Sequence, residues 1–381
     1  MCRFILLLIF DALVLQPIRC VLGFIVQFLW HPPKSGSAVN PQDWSSLYEA
    51  ANQLYNQLDR VKYGLDDDSA KFLGMLAFVR PETEWSDFMR LVDTDGNLKR
   101  NLKDPYPADT PDFSTDMLSG FMLGVYGNLT RMTEEERERL IKVWERASWS
   151  GFPMLISSAN NGKKLFGRGH VYRFWWIFGC EEILMCLAWL ALGYKLTGKI
   201  KYKIAYWLMQ ILLFPSLLLT CPDAQIFVGP VYWLSAHNTH SRALVDFVGA
   251  KLTNSHWFRS ALQILYKHHG AYNADILLLY CDALESPYFG DIERCRGLLS
   301  DVLRKGVEET PTSKRYLELG FPPKIVHYAP QFMLPSSRGN DYVWERSPLK
   351  GYVYSDQQRA VWGLDVIFPV LLAIKASVYL D

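Results

Sequence analysis

The sequence predicts an all-α fold assembled from successive helical hairpins. Three observations carry the prediction: apolar residues recur at helical spacing along most of the chain, paired capping residues mark helix starts, and one hairpin turn is used twice, at an offset of 56 residues. Each element can be justified in chain order.

Residues 4–30 form an apolar stretch long enough to span a bilayer, divided by Asp11, Pro17 and Arg19 into two blocks. No small-residue cleavage site follows it, so residues 1–30 are expected to be a membrane anchor or an in-plane interfacial helix, with a helix capping the globular core as the plainer alternative. Residues 31–40, rich in Pro and Ser, read as a linker to a helical domain over 41–381.

The first helix of that domain is announced by Pro41 and by Ser46 with Glu49 three residues on, the spacing of a capping box. A second box, Thr133 to Glu136, opens a charged helix to about Arg146 whose Leu140, Val143 and Trp144 form one apolar stripe. Between them, Asp93-Thr94-Asp95-Gly96-Asn97 has some calcium-loop residues but no distal Glu, so a turn is expected there. Gly120 and Gly124 share one helical face and leave room for close packing.

Two apolar stretches, Ile183 to Tyr194 and Ile204 to Leu219, flank a basic turn, Lys195 to Lys201. Each is shorter than a full span, so hairpin 183–219 reads as buried core helices or as a transmembrane hairpin, with a re-entrant or membrane-resting hairpin as the functional alternative. Lys195-Leu196-Thr197, Tyr202, Ala205 and Leu208 align with Lys251-Leu252-Thr253, Phe258, Ala261 and Ile264. In each copy an apolar helix ends at K-L-T, and an aromatic residue opens the return helix with a small residue three positions later.

With that ruler, six apolar segments with polar starts read as inner helices, beginning near Asp67, Ser114, His170, Asn238, Tyr272 and Ser355. Return segments begin near Thr83, Thr133, Lys201, Ser255 and Asp291, and the Ser46 helix makes a sixth. Alternation of fully apolar with half-polar helices is what an (α/α)6 toroid requires. Residues 308–353, rich in Pro, Gly and Ser, are expected as a lid or cleft wall or as a connection covering helix ends.

The stretch Ala191 to Gly198, with Lys201, Tyr202 and Ala205, resembles a hairpin turn of the six-hairpin glycosidase and toroid polysaccharide-lyase superfamily. The resemblance covers residues 40–381 as a pattern of hairpins. It implies a membrane-attached carbohydrate-active enzyme, a glycoside hydrolase or polysaccharide lyase, with its site where inner-helix N-termini gather. A non-catalytic integral membrane or assembly protein on the same architecture is the alternative, since one fold hosts many functions.

The richest helix start is Ser235 to Arg242, where His237, Asn238, His240 and Arg242 fall within two turns. This is the inventory for removing a proton next to a carboxylate: an amide or guanidinium neutralises the acid, and an imidazole or phenol is the base. The segment also resembles the Asn-Asn-His stretch of alginate-lyase-like toroids, differing by one missing Asn and in the residues after the His. Structural, hydrogen-bonded histidines are the competing reading. Tyr272, Asn273 and Asp275 start the fifth inner helix and Asp356 and Arg359 the sixth, while Asp68 and Asp116 stand at the first two. Hydrolysis needs two carboxylates across a sugar ring, for which Asp116, Asp275 and Asp356 are the candidates; helix capping is the alternative role of Asp116.

Composition narrows the partners. With 40 Lys plus Arg against 39 Asp plus Glu and no long single-sign run, nothing favours nucleic acid. Seven scattered cysteines without a C-x-x-C pair read as free thiols, not as a metal site. No P-loop, G-x-G-x-x-G, G-x-S-x-G or H-E-x-x-H occurs, so no cofactor is expected. The expected partners are a membrane and a polysaccharide or oligosaccharide. An aromatic share of 14% needs a home in the core, in a sugar cleft or at a membrane interface.

Overall fold

The computed structural model describes residues 43–58, 64, 69–96, 98–99, 101–102, 115–146, 180–212, 236–269, 273–284, 289–305, 327–328, 350–351 and 363–376. The N-terminal segment 1–30, the linker 31–40 and most of 308–353 lie outside them.

Within the described residues the protein is helical: α1 (Trp44–Asn56), α2 (Ser69–Val79), α3 (Pro81–Met89), α4 (Thr115–Gly127), α5 (Glu134–Arg146), α6 (Cys180–Thr197), α7 (Ile200–Leu212), α8 (Ala236–Thr253), α9 (His256–His269), α10 (Ala274–Leu284), α11 (Phe289–Lys305) and α12 (Leu364–Lys375). The remaining regular structure is a two-residue antiparallel ladder, β1 (His327–Tyr328) with β2 (Lys350–Gly351), inside the long Pro- and Gly-rich segment.

Burial alternates along the chain as the apolar pattern requires. Residues 69–78 of α2, 240–250 of α8 and 364–373 of α12 are buried on every side, whereas α1 and α5 are buried along one stripe. In α1 the stripe is Trp44, Leu47, Ala51 and Tyr55, spaced at three and four residues.

The chain divides into two compact units. One holds residues 59–224 and 244–261; the other holds 25–58, 225–243 and 262–381. In the first unit α2 and α4 pack backbone to backbone. A Cβ on Gly120 would lie 2.4 Å from the Lys71 Cα, and one on Gly124 would lie 2.9 Å from the Gly74 Cα. Glycine is required there because any side chain would force the helices apart. Aromatic rings fill the surrounding space: Trp144 stacks on Trp189 at 3.9 Å and donates its Nε1–H to the Trp189 carbonyl, and Phe247 meets Phe78 and Tyr126 edge-on. In the second unit α12 packs against α1, α10 and α11.

The duplicated turn is a structural repeat. α6 and α8 are both 18 residues long, and their first residues, like those of the return helices α7 and α9, lie one offset apart. Thr197 Oγ1 donates to the Gly193 carbonyl at 2.7 Å and accepts from the Lys199 N–H at 3.1 Å; Thr253 does the same with Gly249 and Ser255 at 2.7 and 3.2 Å. The next residue is left-handed in both, Gly198 at φ 67° and Asn254 at φ 54°. Tyr202 and Phe258 then fold over the two glycines, so the threonine, the left-handed residue and the Gly–aromatic contact form one stop-and-return device.

Two local expectations need comment. α1 starts earlier than the Ser46–Glu49 pattern suggests, because Asp43 is its N-cap and accepts from both Ser46 N and Ser46 Oγ, at 2.8 and 3.1 Å. The carboxylate is the stronger acceptor, and starting there brings Trp44 into the buried stripe. The Thr133–Glu136 box forms as expected, with reciprocal bonds of 2.8 and 3.3 Å. Asp93–Gly96 is a turn: Asp93 Oδ1 accepts from the Asp95 N–H, Gly96 has φ 77°, and Lys142 of α5 donates to the Thr94 carbonyl.

Candidate functional site

The second unit brings together two residues that the sequence placed on separate helix starts. His240, in the second turn of α8, sets Nε2 at 3.1 Å from Oδ2 of Asp275, in the first turn of α10. Their side chains are 0% and 3% exposed, so the contact is dry. A carboxylate in the first turn suits the partial positive charge of a helix N-terminus. The contact sets each of two polar groups, whose burial alone would be costly, beside the other.

Asn273 caps α10: its Oδ1 accepts from the N–H groups of Asp275 and Ile276 at 3.0 and 3.3 Å. The carboxamide expected to bind substrate is therefore occupied in positioning the Asp275 backbone. Arg242, two residues after His240, is buried and interacts with a neighbouring group.

The other expected residues are not described at the level of side chains. His237 and Asn238 lie in the first turn of α8 and Asp116 in that of α4, with their side chains outside the described residues; Tyr272, Asp356, Arg359 and Asp68 lie outside them altogether. Of the eleven candidates, four therefore have a described environment, and three of these meet: Asp275 touches the His240 side chain and is capped by Asn273.

Two buried carboxylates of this unit escaped the sequence reading, and one expected free thiol stands near the pair. Asp301 of α11 and Asp365 of α12 are buried carboxylates, and Cys295 of α11 is a buried thiol close enough to Asp275 to feel its charge. Burial first, then Asp275 and Cys281, hold the Cys295 thiol well above its ordinary value, so it stays protonated and non-nucleophilic. A lone Asp inside the apolar run Leu364 to Leu372 was the available signal for Asp365. Asp301 carries no such mark.

Among the described residues no group of His, Cys, Asp and Glu has the arrangement of a metal site. Asn128-Leu129-Thr130 has the residue order of a glycosylation triplet, but Asn128 is buried and its Nδ2 donates to the carbonyls of Ala77 and Gly124, at 3.0 and 2.9 Å. That nitrogen has no room for a glycan in the folded chain.

The fold and site define a class: an all-α protein of helical hairpins with a buried histidine–carboxylate contact between two helix starts. No family model, curated protein or solved structure matches this chain.

Proposed function

We propose that the chain is a membrane-attached carbohydrate-active enzyme, a polysaccharide lyase or glycoside hydrolase, built as an (α/α)6 toroid and anchored through residues 1–30. The observation that supports it is the 3.1 Å contact of His240 with Asp275 at the starts of two apolar helices, the end where the toroid reading expects its mouth. In the elimination reading His240 takes the proton next to a uronate carboxyl. The freed electron pair forms a carbon–carbon double bond as the glycosidic carbon–oxygen bond breaks, and the leaving oxygen takes a proton from Tyr272. Asp275 orients the imidazole and stabilises its cationic form, and Arg242 offsets the uronate charge. In the hydrolytic reading Asp275 pairs with Asp356 across the sugar ring.

The complete burial of both groups favours a second reading, a non-catalytic membrane or assembly protein in which the pair ties α8 to α10. Incubation of the full chain with acidic polysaccharides decides between them. Elimination yields an unsaturated uronate with new ultraviolet absorbance; hydrolysis yields reducing ends without it. The enzyme reading expects His240→Gln and Asp275→Asn to remove turnover. Absence of product from every glycan, with both variants only less stable, leaves the second reading standing.

A further inference from the structure

The outward face of α7 carries the largest apolar side chains that the described structure leaves in solvent. Ile200, Ile204, Trp207, Leu208 and Ile211 are 43–62% exposed, and they recur at the spacing of one helical face. The opposite face, Tyr202, Ala205 and Met209, is buried in the first unit.

The repeat supplies an internal control. The positions of α9 equivalent to Ile200, Ile204 and Trp207 are His256, Ser260 and Gln263, all polar and none buried, and that of Ile211 is Lys267; only Leu208 has an apolar counterpart, Ile264. The hairpin therefore folds with a polar outer face, and the apolar face of α7 answers a requirement other than folding.

Charge says what that requirement is. Lys201 and Lys203 border the stripe on its two sides, with Lys195 at the preceding turn, and no acidic residue occurs between 183 and 219; Lys199 is ion-paired with Glu145 of α5. The ammonium groups sit over rings, Lys201 Nζ over Tyr202 and Lys203 Nζ over Tyr194, at 5.0 and 5.6 Å from the ring centres. No described helix is long and apolar enough to cross a membrane, and a helix of 13 residues with one apolar face suits the plane of a bilayer surface. Trp at the centre and Lys at the borders is the arrangement that places rings at headgroup depth and ammonium groups against lipid phosphates.

We infer that the Ile200–Ile211 face of α7 docks in plane on an anionic lipid surface, a contact separate from segment 1–30 and independent of any chemistry at His240. The full chain, labelled with a fluorophore at Ile204→Cys or, as control, Ser260→Cys, is bound to vesicles containing quencher-bearing lipid, and labelling of the native cysteines is subtracted. Quenching is expected at 204 and not at 260 on mixed phosphatidylcholine–phosphatidylserine vesicles, and it weakens in high salt. Lys201→Glu with Lys203→Glu shifts the docked-to-lifted ratio at 204 by about tenfold or more at unchanged helix content.

Equal quenching at the two positions overturns the inference, as does quenching at 204 that is the same on pure phosphatidylcholine. Cross-linking of two chains through 204 with no lipid quenching assigns the face to a second copy. Quenching that appears only after deletion of residues 1–30 assigns it to that segment. Either result also overturns the inference.

Discussion

At the scale of single residues, burial decides what each polar group can do. His240 and Asp275 meet in a dry interior, so removing one leaves the other without its compensation. Asp275→Ala is expected to lower the unfolding free energy by about 3–5 kcal/mol, read from urea denaturation. A cost near zero would mean that the pair is solvated in solution. The buried thiols make a second expectation. Burial raises the Cys186 thiol, and burial with Asp275 and Cys281 raises that of Cys295, so both stay protonated in the folded chain while an unfolded thiol ionises above about pH 8.5. Their contribution to stability is complete below that pH and falls as the pH rises past it. Alkylation of the two thiols at pH 8 should therefore proceed at the rate of unfolding; rapid modification of the native protein would contradict it.

At the scale of elements, the tightest point is the crossing of α2 and α4. The added methyl of Gly120→Ala meets the Lys71 backbone at 2.4–2.5 Å, and backbone cannot swing aside as a side-chain tip can. A loss of about 3 kcal/mol or failure to fold is expected, measured by thermal melting, whereas Gly198→Asn at the repeated turn should be nearly neutral. Gly198 has open space at its Cβ, and its counterpart in the repeat is already Asn254 in the same left-handed conformation. The α1 cap adds a pH dependence. Hydrogen bonds from Ser46, the backbone one foremost, lower the Asp43 carboxyl below its ordinary 3.8, so its contribution is present above that value and lost as the pH falls through the lowered one. Asp43→Ala should remove that part of the acid-side decline in melting temperature and leave the neutral-to-alkaline side unchanged in shape.

At the scale of the molecule, fully buried helices alternate with half-wetted ones, and protection should follow. Amide hydrogen exchange is expected to be slowest in α2 and α4, which meet without side chains between them, and faster in α7, whose outer face is exposed. Residues such as Leu140, Val143, Trp144, Thr133 and Glu136 made their helix legible because stripe and cap are local, set by spacing within a few turns. The same holds for the Thr197 and Thr253 turns, whose hydrogen bonds span four residues. Sequence alone therefore determined the all-α class, the return helices and the repeated hairpin. Only the tertiary structure decided that His240 meets Asp275 while Asn273 is spent on a cap, and that Asp301 and Asp365 are buried. It also decided that α7, apolar on two faces in sequence, turns one to the core and one to solvent. Those outcomes depend on which helix packs against which, and periodicity along one segment carries no information about its neighbour.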